Sequence, residues 1–185
     1  MPTANQLVSL LERHRAALPF ADEELARHQA LRTALAERHE RSEAALSAWR
    51  NAISQRWECE VRAQRSYAAA QRFLESQPDA IAAYPYLFEM TYTGEPITPS
   101  ELLSAVRRLA TSLGVMSFDH AATVRADLIA AADALEIAIE LTTQCENERR
   151  QMVLEERLTG HLYVRTCAKT HQLITRHFDT TSADS

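Results

Sequence analysis

The chain has 185 residues, 46% of them hydrophobic but only 6% aromatic, and its formal net charge is −5. That is enough for one domain with a real core, although much of the apolar content is Ala, which packs thin helix interfaces. The acidic balance argues against a non-specific nucleic-acid binder, and no run approaches the ~18 apolar residues a membrane span requires.

Glycine and proline point to the architecture. There are three glycines (Gly94, Gly114, Gly160), too few for sheets and long loops, which need residues that accept positive φ. Four of the six prolines (Pro78, Pro85, Pro96, Pro99) fall between 78 and 99. The fold class expected is all-α: an elongated antiparallel hairpin of two long helices, with a short N-terminal helix and a small helical tip module, in a single domain over 1–185.

In chain order, Thr3 to Leu18 reads as a short helix. Thr3 and Gln6 have capping-box spacing, Leu7, Leu10, Leu11 and Leu18 share a face, and Pro19 ends it. A long helix over 22–77 opens at Asp22, with Glu23 and Glu24 where the helix dipole favours anions. Its stripe Leu31, Leu35, His39, Ser42, Leu46, Trp49, Ile53 and Trp57 steps by three and four. The tip module, 78–116, holds four of the chain's twelve aromatics, Tyr84, Tyr86, Phe88 and Tyr92. Thr98-Pro99-Ser100-Glu101 then predicts a capped helix over 99–113, stopped by Gly114 in the left-handed conformation. A second long helix is expected over 117–178. Its stripe runs from Val124, Leu128, Ala131 and Leu135 to Cys145, weakens, and resumes at Met152, Leu154, Leu158 and Leu162 in the manner of a coiled-coil stutter. Residues 179–185 are expected to be a flexible tail.

Charge argues that the long helices pair within one chain. Residues 38–72 carry seven Arg and four Glu, whereas 119–148 carry one Arg and seven acidic residues. Opposite charge beside an apolar seam sets orientation in helix pairs, though each exposed pair is worth only a few tenths of a kcal/mol. Trp49, Trp57, Tyr67 and Phe73 do not all fit one stripe, so a second apolar surface needs cover, either by a homodimer, with Leu46, Trp49, Ile53 and Trp57 as the candidate oligomer interface, or by the two short helices.

No constellation points to chemistry. A hairpin joined near positions 77 and 119 brings His39 towards His161, and His28 towards His171 with Cys167 nearby, a possible metal or pH-sensing group. Every His has a non-Glu residue three positions before it, which excludes the di-iron helix-bundle pattern. Cys59 and Cys145 fall close in the same register, and three cysteines at no motif spacing read as reduced thiols in a cytoplasm. The segment Leu109–Val115, followed by Thr123–Leu128, resembles the helix-turn-helix of bacterial repressors over about ten residues, but with a longer turn than that pattern has. The resemblance implies an alternative function, a DNA-binding transcriptional regulator using 99–128. The first expectation is a non-enzymatic scaffold or adaptor. It needs no cofactor, metal or small-molecule substrate, and takes a protein partner at Tyr84, Tyr86, Phe88 and Tyr92.

Overall fold

A computed structural model describes residues 3–77, 79 and 98–183, with side chains up to residue 180. Its helices are α1 (Ala4–Arg13), α2 (Ala21–Glu75), α3 (Pro99–Leu113) and α4 (Ala121–Ala183), with no strand among the described residues. The long helices α2 and α4 pack together, so the protein is an all-α hairpin. The connector that carries Tyr84, Tyr86, Phe88 and Tyr92 lies outside the described residues.

The caps form where the sequence places them. Thr3 and Gln6 make a reciprocal capping box at α1, and Thr98 and Glu101 make another at α3. The Thr98 N–H donates to the Glu101 carboxylate at 2.8 Å, and the Glu101 N–H donates to the Thr98 hydroxyl oxygen at 3.3 Å. The Thr98 hydroxyl also donates to that carboxylate, and the backbone N–H and hydroxyl bonds together hold the Glu101 carboxyl below its usual range by favouring the ionised form.

Several features differ from expectation, beginning with α2, which spans Ala21–Glu75 rather than 22–77. α1 ends at Arg13, and a turn continues to Leu18, whose N–H donates to the His14 carbonyl. α4 starts at Ala121, later than the expected 117, and continues past Phe178 to Ala183, into the expected tail. Gly114 is right-handed, with φ −67°, rather than left-handed. The N–H groups of Gly114, Val115 and Met116 take the carbonyls three residues back, so the last turn tightens and needs no left-handed residue. The positive φ falls instead on His120, at 65°, in the turn before α4.

Two compact units divide the described chain, and α2 and α4 run through both. In the unit formed by residues 48–147, Ala63, Tyr67, Ala70 and Leu74 of α2 meet Leu102, Val106, Leu109 and Leu113 of α3 and Leu128, Ala131, Ala132 and Leu135 of α4. Below this core the two long helices meet at Ala52, whose carbonyl accepts from the Thr142 hydroxyl at 3.3 Å. Trp49 and Ile53 therefore lie at the level of the stretch Leu135–Cys145, as the hairpin requires.

In the unit formed by residues 1–47 and 148–185, Leu7 and Leu11 of α1, Leu18 and Ala21 bury themselves with Ile174 of α4. Here α2 and α4 are tied by Arg38–Glu155 at 2.6 Å and His39–Glu156 at 2.9 Å.

Gly160 sits inside α4 with open space where a Cβ would go. Glycine costs helix about 0.5–1 kcal/mol relative to alanine. Gly160→Ala is therefore expected to stabilise the protein by about that amount and to raise its Tm. A lowered Tm on thermal denaturation would contradict it.

Candidate interaction surface

The seam between α2 and α4 is built from small and polar side chains. In residues 1–47 and 148–185 the buried positions include Ser42 and Ala45 of α2 and Thr166 and Thr170 of α4, with Glu156, Thr159 and Tyr163 half-buried along the same line. Small residues let helix axes approach closely, which leaves larger neighbours at the flanks.

The leucines of α4 are displaced in this way. Leu154, Leu158 and Leu162, expected to resume the buried stripe, are 57%, 59% and 52% exposed. The reason is phase. The seam follows Glu156, Thr159, Tyr163, Thr166 and Thr170, and the leucines fall on the next stripe round the helix. Leu162 shares a shallow groove with Leu31 of α2 and with Arg165 and Lys169. On the other side of the seam, Tyr163, Cys167 and His171 line a cleft with Ala4 and Leu7 of α1.

The same displacement affects α2. Leu46, Trp49 and Ile53 are half-buried, Trp57 is 63% exposed, and Ala45 and Ala52, the residues just before Leu46 and Ile53, take the buried positions. Leu46 belongs to the first unit, and Trp49, Ile53 and Trp57 to the second.

The histidines take separate partners. His39 lies beside Glu156, more than a turn before His161 on α4. The Glu156 hydrogen bond and charge raise the imidazole's pKa. His161 is exposed. His28 is fully buried, with its ring edge-on to Tyr163 and its Nε2 3.0 Å from the Thr170 hydroxyl. That hydroxyl donates to the Glu24 carboxylate at 2.5 Å. Having given its proton to Glu24, Thr170 accepts from Nε2–H, which fixes the tautomer and leaves Nδ1 as a bare lone pair. Nδ1 has no partner among the described residues. Burial pulls the His28 pKa down, so the ring is held neutral.

No three His, Cys, Asp or Glu among the described residues are placed to hold a metal ion. The cysteines Cys59, Cys145 and Cys167 are all free. Burial pushes the Cys167 thiol up, away from the thiolate a nucleophile needs.

In the segment resembling a helix-turn-helix, Arg107 is engaged by Glu136 and Asp133 of α4. Leu109, Ala110, Leu113 and Leu128 are buried in the core. Arg125 lies against Gly114, where its Nε would be 3.1 Å from an added Cβ.

Compared with protein-family models, with curated proteins and with solved structures, the chain matches none of them. No helix among the described residues is long and apolar enough to cross a membrane.

Proposed function

We propose that this protein is a non-enzymatic helical scaffold or adaptor that works through protein–protein contacts and associates with itself, in the cytoplasm. The observation that carries the reading is the row Leu154, Leu158 and Leu162, each more than half exposed along one side of α4. Contiguous apolar surface of this kind marks interaction sites, whereas scattered single leucines do not. Trp57 extends the supply of uncovered apolar surface in the other unit. The aromatics Tyr84, Tyr86, Phe88 and Tyr92 remain the proposed contact for a protein partner, on the chemistry of their side chains.

The scaffold reading is favoured over a DNA-binding regulator by charge. Arg107, a cation of the segment that a regulator would use, is neutralised by α4 carboxylates, and phosphate contact needs free cations. Sedimentation of the purified protein from low to high micromolar concentration is expected to show reversible self-association. A monomer throughout would overturn the self-associating scaffold, and salt-dependent retention on DNA would favour the regulator instead.

A further inference from the structure

We infer that the exposed leucine stripe of α4 is the surface on which a second copy of this chain docks, antiparallel, in a two-fold homodimer. The inference rests on the scaffold reading and names its interface. The stripe is longer than its leucines. Stepping by three and four along α4 through Leu158 and Leu162, with Leu154 one turn before Leu158 at its edge, it reads Glu148, Gln151, Glu155, Leu158, Leu162, Arg165, Lys169 and Gln172. All of these are exposed except Glu155, which is half-buried. The spacing is that of a coiled-coil seam, and it runs beside the seam already occupied by α2.

The order of charges along the stripe selects the occupant. Carboxylates precede the leucines and cations follow them. A two-fold interface must be complementary to itself. Laid antiparallel about a point between Leu158 and Leu162, the stripe sets Leu158 of one copy on Leu162 of the other, and Glu155 against Arg165. The same register brings Lys169 opposite Gln151, one stripe position from Glu148. Each pairing occurs twice. A parallel arrangement would instead set Arg165 on Arg165 and Lys169 on Lys169, like charge on like.

The ions are available for this role. Among the described residues no carboxylate lies within ion-pair distance of Arg165 or Lys169. Glu155 accepts from Arg38 on one oxygen and from Gln151 on the other, at 2.6 and 3.1 Å. A carboxylate has about four lone-pair sites, so it can accept from a further guanidinium. Leu31, which shares the groove with Leu162, widens the apolar strip on the α2 side.

The test is sedimentation equilibrium of the full chain, with circular dichroism to confirm unchanged helicity. The double variant Leu158→Ser/Leu162→Ser replaces exposed side chains, so the fold should persist while the dissociation constant rises ~100-fold or more. Lys169→Glu is expected to weaken the dimer about 3- to 10-fold. Adding Gln151→Lys to it should restore the original constant, because the antiparallel register sets position 151 against 169. A dimer indifferent to the serine variant, or unrescued by the charge exchange, overturns this interface and leaves the self-associating scaffold standing. A wild-type protein that stays monomeric overturns both.

Discussion

Replacing Leu135 by alanine is expected to destabilise the protein by ~2–5 kcal/mol. Leu135 is fully buried where α2, α3 and α4 converge, among Leu128, Ala131, Leu109 and Leu113. Its neighbours include several alanines, whose short side chains cannot swing into a void. The cavity should therefore persist, which places the expected cost in the upper part of the range. Alanine is the better helix former by only a few tenths of a kcal/mol, far too little to offset the loss. Urea denaturation gives the magnitude, and amide hydrogen exchange along 121–147 should accelerate in the same variant. A loss below about 1 kcal/mol would show that the three-helix core collapses around the gap. The exposed Trp57→Ala change serves as a control, since a surface site is expected to stay within ~0.5 kcal/mol.

Much of the fold was legible because its punctuation is local. Capping boxes, one proline cluster and long stretches without glycine identify helices without reference to tertiary contacts. The boxes at Thr3–Gln6 and Thr98–Glu101 form as the sequence indicates. Phase around the long helices was not legible in the same way. A helix turns about 100° per residue, so a small error in register moves a side chain to another face. His39 therefore meets Glu156 rather than His161, and the leucines of α4 stand outside the seam.

A signal for the true seam was nevertheless present. Glu156, Tyr163 and Thr170 continue the seven-residue repeat of Leu128, Leu135 and Thr142, with no leucine beyond Leu135. Apolar periodicity favours the larger leucines and hides a seam made of alanine, serine and threonine. The polar bridge of Glu24, Thr170 and His28 was hidden for a related reason. Glu24 also has the sequence position of a residue that complements the helix dipole, and nothing in the sequence separates the two roles.

That bridge is the second place where one atom should matter most. Thr170→Val is expected to cost ~2–4 kcal/mol, since it leaves the Glu24 oxygen and His28 Nε2–H buried without the hydroxyl that joins them. Shape is nearly kept, so the loss measures polarity rather than packing. Acid should reproduce part of the effect in the wild-type chain. The charged and titratable groups around His28 are Glu24 and Arg27 on α2, with Tyr163 across the seam on α4. Desolvation outweighs the attraction of Glu24, and the folded pKa lies below 6.5. As pH falls below 6.5 the unfolded chain takes up a proton that the folded chain refuses. Stability contributed by neutral His28 is thus present above 6.5 and lost as pH falls through the lowered folded value. His39 acts in the opposite sense. Its raised pKa favours the folded state in acid, a contribution lost as pH rises through that value. His28→Gln should therefore remove the acid-induced loss and leave only the shallow opposite slope of His39. Denaturation midpoints compared between about pH 5 and 8 read both slopes. An unchanged acid loss in His28→Gln would mean that another group carries it.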